Sequence, residues 1–265
     1  MKIGLILLLV FGVGIVLFLV AWNRVSSQNN SSESSSVSWE FDYGGTNTWK
    51  VSGNPPACSD PMVIDPPVDV SLASGILYPG QYRGGDYKPH GGFRFDNNQT
   101  NEVSVKAPIN GYLVSASGYL EAGEVQYLLF FINDCGIMYK LDHLLTLAPK
   151  FAEIMGKIPT GEEGDSRTTN IDPKVFVAKG EIIATEVGFR SSQGQKNIGI
   201  DFGLYDLRTT NQASKNQTYV GKHKGEEQFS FTALCWFDYL TQPSRTIVKN
   251  LFAIDQGGKT SDYCN

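Results

Sequence analysis

Apolar residues recur at every second position in several segments of this chain, and that period restricts the fold more than any other feature. Val103 to Ala107, Gly111 to Ser117, Val125 to Asn133 and Gly136 to Leu141 all alternate in this way, and Asn197 to Leu207, NIGIDFGLYDL, does so again. Strands buried on one face carry this pattern. Asn133-Asp134-Cys135-Gly136, between two of them, has the composition of a hairpin turn. Leu144 to Ile158 reads as one short helix with Pro149 near its first turn, and Arg245 to Ala253 as another. Pro159 to Pro173, polar and acidic, reads as an inserted surface loop. The expectation is a mainly β domain with an antiparallel core spanning roughly Gly92 to Leu207.

The ends of the chain have different compositions. Gly4 to Trp22 is an unbroken, uncharged and mostly aliphatic run, long enough to cross a hydrocarbon core of roughly 30 Å as a helix. It is too long for the apolar region of a cleaved signal and has no small-x-small site at its end, so an uncleaved transmembrane anchor is expected. The Ser/Asn-rich stretch that follows cannot bury apolar area and reads as a tether. The divisions expected are residues 1–24 as anchor, 25–38 as tether, 39–89 as a Pro-rich wrapping segment, 90–208 as the β core and 209–265 as a C-terminal extension. A single-pass membrane protein with its domain on the extracytoplasmic side follows from this order.

Within 265 residues the net charge is -5 and no Lys/Arg run occurs, which argues against a nucleic-acid partner. Cys58, Cys135, Cys235 and Cys264 form no C-x-x-C pair. Outside the cytoplasm an even count favours two disulfides, with three connectivities open, and Cys235 with Cys264 could staple the tail to the body.

The stretch Lys88 to Ser115, KPHGGFRFDNNQTNEVSVKAPINGYLVS, joins a His-Gly-Gly entry to an aromatic strand, a polar loop and an Ala-Pro-x-x-Gly corner. Here the chain resembles the M23 (LytM, lysostaphin-like) zinc peptidases. Their core opens with His-x-Gly-x-Asp and continues into a V-x-A-x-x-x-G-x-V pair of strands, matched by His90, Gly92 and Val105 to Val114. The resemblance covers roughly Gly75 to Arg208 and implies an antiparallel, barrel-sandwich-like β core. It also implies roles for single residues. His90 stands as a metal ligand, and His143 of Leu141-Asp142-His143-Leu144 as the catalytic histidine of the family's Tyr-x-His motif. Arg94 occupies the place of the Asp ligand, Gly199 that of the first His of His-x-His, and Asp201 that of the second, which binds zinc.

Catalytic zinc usually takes three protein ligands and an open water position, and at the matched positions only His90 and Asp201 could bind. Asp96 lies two residues beyond Arg94, about 6.6 Å further along an extended strand. His223, between Lys222 and Lys224, reads as an exposed loop imidazole. Arg94 and Asp201 are expected to face each other beside His90, a guanidinium–carboxylate pair standing in for zinc. Phe93, Tyr112 and Tyr139 either line a groove or fill the core.

The leading expectation is therefore a non-catalytic binding or regulatory module, with no cofactor, acting on peptidoglycan, another envelope polymer or a hydrolase partner. The alternative is an active zinc metallopeptidase with ligands drawn from His90, Asp96, His143 and Asp201. A lipoyl-type carrier barrel is a weaker third reading, because Lys106 lacks the preceding Asp.

Overall fold

The structure, a computed structural model, describes residues 36–190, 197–255 and 257–264. The run Gly4 to Trp22 and most of the tether lie outside the described residues. Among the described residues no helix is long and apolar enough to cross a membrane.

The fold is mainly β. Fourteen strands are described: β1 (Ser38–Phe41), β2 (Trp49–Ser52), β3 (Gly75–Leu77), β4 (Gln81–Arg83), β5 (Asp86–Lys88), β6 (Gly91–Arg94), β7 (Glu102–Lys106), β8 (Gly111–Glu121), β9 (Glu124–Ile132), β10 (Ile137–Leu147), β11 (Thr160–Glu163), β12 (Thr169–Val177), β13 (Ile182–Val187) and β14 (Gly199–Asp206). Ten of them form one sheet. Its main path runs β11-β8-β9-β10-β14-β6-β3, with β12 also on β8 and β13 joining β10 to β7. β11 lies parallel to β8 and the remaining pairs in this sheet are antiparallel. The hairpins β1-β2 and β4-β5 stand as separate two-stranded sheets.

The alternation seen in the sequence sorts side chains onto two faces. Phe93, Leu113, Leu129, Phe131, Tyr139, Leu141 and Phe202 meet Trp236 in the main core. Leu128, Phe130, Ile132, Met138 and Tyr205, one residue out of phase, form a smaller cluster on the opposite face. Phe93 and Tyr139 are wholly buried and Tyr112 nearly so, so these rings fill the interior and do not line a groove. The β9-β10 turn closes with Asn133 N–H on the Ile137 carbonyl, and Gly136, at φ 96°, supplies the left-handed residue it needs.

Two expectations about local structure change. The helix α1 (Pro149–Met155) begins only at Pro149, because Leu144 to Leu147 continue β10. The segment Pro159 to Pro173 is not a plain loop: it supplies β11 and the start of β12, both pairing with β8. Its polar composition suits strands whose side chains are largely exposed. The main sheet also reaches back before residue 90, since β3 pairs with β6.

After β14 come the short helices α2 (Gln217–Lys222), α3 (Glu227–Ser230) and α4 (Ser244–Asn250). The four cysteines form Cys58–Cys135 and Cys235–Cys264. The second bond holds a tail that packs on the β3 side of the sheet: Ile76 N–H donates to the Phe252 carbonyl and Ile254 N–H to the Ile76 carbonyl. Further along, Gln81 Nε2 donates to the Gly258 carbonyl at 3.0 Å and also to the Thr260 carbonyl.

Candidate functional site: a polar row across four strands

Register aligns one row of residues across β3, β6, β14 and β10: Leu77 opposite Gly92, Gly92 opposite Asp201, and Asp201 opposite Asp142. Alternation places His90 and Lys140 on the same face. Gly92 leaves room for the carboxylate beside it, for a Cβ there would stand 2.4 Å from the Ile200 carbonyl oxygen and 3.1 Å from Asp201 Oδ1.

The side chains of this face converge on Asp201. His90 Nε2 lies 2.9 Å from Asp201 Oδ2, and His143 Nε2 lies 3.7 Å from the same oxygen. Lys140 Nζ stands 3.5 Å from His90 Nδ1 and 3.2 Å from Asp142 Oδ2. Asp142 Oδ1 accepts from the Tyr119 hydroxyl at 2.9 Å and from the His143 backbone N–H at 2.9 Å. His90, Lys140 and Asp142 are buried, while His143 keeps a partly exposed side chain. The β9-β10 register shifts between Leu141 and Leu144, and within that irregularity His143 adopts φ 60°. A left-handed conformation is strained for histidine. Its Nδ1 is buried without a hydrogen bond, and Glu121 Oε2 stands 3.7 Å away.

The charges settle one another. Burial, with Lys140 next to the ring, lowers the His90 pKa to about 4, so the imidazole is neutral at pH 7. A lysine ammonium only donates and an ionised carboxylate only accepts. His90 therefore carries its proton on Nε2, toward Asp201, and presents the bare Nδ1 to Lys140. Burial by itself would raise the Asp201 carboxyl, but His90, His143 and Lys140 outweigh it and hold it below the ordinary range. Asp142 is likewise held low against its burial, by Lys140, His143 and the His143 N–H. Burial and the Asp142 charge push the Tyr119 hydroxyl far up, fixing it as a donor.

Of the residues singled out in the sequence, His90, His143 and Asp201 come together. Arg94 and Asp201 share a face, yet they do not form the expected pair. Arg94 Nη2 bonds Asp96 Oδ1 at 2.7 Å, whereas His90 occupies the Asp201 carboxylate. Arg94 lies opposite Gly199, and its side chain runs over that residue, with Cδ 2.9 Å from where a Cβ would be. Asp96, offered as a replacement ligand, is thus engaged with Arg94. His223 is also not the exposed loop imidazole expected. It is 1 % exposed, packed 3.8 Å from the Tyr87 ring and 4.4 Å from the Tyr219 ring between centroids, with Nδ1 2.9 Å from Glu226 Oε2.

Lys140, Asp142 and Tyr119 escaped the reading of the sequence. A signal was present: Lys140 and Asp142 are charged positions two apart, next to His143, in the mostly apolar stretch IMYKLDHLL.

Asp142, His143 and Asp201 each offer a ligand atom within 4.8 Å of the others, a spacing that could hold a metal ion. The donor chemistry does not match a peptidase zinc centre. A zinc-bound histidine gives one ring nitrogen to the metal and donates from the other to an acceptor. With Nε2 on a metal, His90 would have to turn an Nδ1–H toward the Lys140 ammonium. Asp142, the third group, already has one oxygen on Tyr119 and the other on Lys140. What the arrangement can do is present His143 Nε2 and one Asp201 oxygen at the edge of a water-poor, charge-balanced recess.

No family model, curated protein or solved structure matches the chain.

Proposed function

We propose that this chain is a membrane-anchored, extracytoplasmic binding module with an M23-like core, carrying out no hydrolytic step and recognising an envelope polymer such as peptidoglycan or a hydrolase partner. The observation that carries this reading is the place of Lys140, whose ammonium stands against both His90 Nδ1 and Asp142 Oδ2. It supplies positive charge where the resembled peptidases use zinc, and it leaves His90 unable to bind metal and donate outward together. Two disulfides accord with an oxidising compartment, and the apolar run Gly4 to Trp22 supplies the anchor.

Equilibrium dialysis of the full-length protein against zinc, followed by thermal unfolding with and without chelator, tests the reading. The expected result is no stoichiometric zinc and no change in Tm. Stoichiometric zinc whose removal lowers Tm, together with cleavage of a peptide substrate, would replace it with the second reading, a metallopeptidase using Asp142, His143 and Asp201. The spacing of those three groups is the observation that favours the second reading.

A further inference from the structure

A cavity of about 610 Å³ lies on the side of the sheet that the tail covers, lined by Leu77, Tyr82, Arg83, Arg94, Ile254 and Asp255. Gly84, Gly85 and Gly257 complete its wall. Its volume falls in the range that small-molecule sites occupy.

The charges of this wall cancel. Arg94 Nη2 bonds Asp96 Oδ1 at 2.7 Å. The buried Arg83 guanidinium donates from Nη1 to the Tyr78 carbonyl at 2.6 Å and from Nη2 to the His90 carbonyl at 2.9 Å, and the negative charges of Asp201 and Asp255 act on it. A guest with a net charge would have to break one of these balances and leave a partly buried ion without its partner. A neutral guest would not.

Hydrogen-bonding capacity remains. Asp255 is half-buried, and its Oδ1 has only a long contact of 3.4 Å from the Gly257 N–H. Among the described residues nothing donates to its other oxygen. Gln81, 6 % exposed, stands behind the wall. Its Nε2 donates to the Gly258 carbonyl at 3.0 Å and to the Thr260 carbonyl, which fixes the orientation of the amide. Its Oε1 is buried without a hydrogen bond, 3.5 Å from where a Cβ on Gly257 would stand. A buried acceptor without a donor is costly, and Gly257 has no side chain to cover it. Apolar surface is present as well: Tyr82 is 51 % exposed, with Lys222 Nζ 4.5 Å from its ring centroid, and Leu77 and Ile254 share the lining.

We infer that this cavity binds a neutral glycan, packing the C–H groups of a sugar ring against Tyr82, Leu77 and Ile254 while its hydroxyls donate to Asp255 and toward Gln81 and accept from the two guanidiniums. The inference rests on the reading of the chain as a module for an envelope polymer, and it assigns recognition to the sugar part of that polymer. A hydroxyl both donates and accepts, so a polyol can use ions of both signs without disturbing their balance. A carboxylate or an ammonium can use only half of the wall. The tyrosine ring adds the flat apolar surface that the C–H side of a pyranose requires.

Isothermal titration of the full-length protein in phosphocholine micelles, which carry no sugar, with cellotetraose and with tetra-N-acetylchitotetraose tests this. At least one of these neutral tetrasaccharides is expected to bind, with an affinity that does not change with salt. Tyr82→Ala should weaken that binding about tenfold, and Asp255→Asn should weaken it severalfold. No binding of either sugar, or binding indifferent to both substitutions, would overturn the inference. So would tighter binding of a glucuronate or a glucosamine tetramer, which would show that the cavity selects charge. Failure here and failure of the non-catalytic reading are separable. Zinc with peptide hydrolysis but preserved sugar binding defeats that reading alone, and metal-free protein that binds neither sugar defeats this inference alone.

Discussion

Lys140 Nζ lies 3.5 Å from Nδ1 of His90, the ring nitrogen that a zinc-binding histidine would use to donate to a supporting acceptor. A cation at that point sets the tautomer and the metal affinity of the imidazole, and together with burial it keeps the ring neutral. The consequences can be measured one at a time.

The first is a dependence of stability on acid. His90 has a folded-state pKa of about 4 against an ordinary 6.5, so between those values the unfolded chain takes up a proton that the native chain refuses. Stability should be unaffected by this group above pH 6.5 and should fall as pH drops from 6.5 toward 4. The loss from this residue is on the order of 2–4 kcal/mol. Asp142 and Asp201, both held low, add a further loss as pH falls below the ordinary carboxylate range. Urea unfolding at stepped pH measures the slope, and His90→Gln should flatten it between pH 6.5 and 4. An unchanged slope in that variant would show that another group titrates there.

The second concerns the two charges expected to pair. Arg94 and Asp96 are both partly exposed, and such pairs contribute about 0–1 kcal/mol, so Arg94→Ala should be nearly neutral in urea melts. Asp201→Ala removes the partner of a buried His90 and leaves Lys140 less compensated, which should cost about 3 kcal/mol or more. Equal effects would mean that Arg94 and Asp201 form one unit after all.

The third concerns His223. Its ring fills a space between Tyr87 and Tyr219 whose hydroxyls meet those of Tyr263 and the carboxylate of Asp262. His223→Ala should therefore behave as a core truncation, costing about 2–4 kcal/mol. A loss below about 0.5 kcal/mol would fit the surface residue that the flanking lysines suggested.

The fourth compares the disulfides. Cys58–Cys135 closes a sequence separation of 77 and Cys235–Cys264 one of 29. Chain entropy alone makes removal of the longer link more damaging by about 0.9 kcal/mol. Thermal unfolding of the two double-alanine variants gives the difference. The reverse order would show that the short link acts through the tail contacts it secures.

The strands were legible where one face is buried and the other is not, because alternation then carries the information. It carried Gly111 to Leu141 and Asn197 to Leu207 into strands of one sheet. It could not find β11 and the start of β12, whose side chains are mostly exposed and which exist because β8 offers unpaired backbone. Of the site, His90, His143 and Asp201 could be placed from motif positions, since register follows from the strand pattern. The pairing of Arg94 could not. Which carboxylate a long side chain reaches depends on Gly199 lying beneath it and on Asp96 two residues away, and neither is a property of period. His223 was misjudged because its lysine neighbours point elsewhere, and sequence adjacency says nothing about which ring a fold turns inward.

The row Leu77, Gly92, Asp201, Asp142 also bears on how the sheet finds its arrangement. If β14 slipped by one residue against β6 and β10, Asp201 would turn into the layer that holds Phe93, Tyr139 and Trp236, with no cation to meet it. A carboxylate stranded there costs several kcal/mol, comparable with the whole stability of many domains. The charged centre thus acts as a proofreader of strand alignment: only the correct register brings each buried charge to its partner, so the chemistry of the recess and the fidelity of assembly depend on the same four positions.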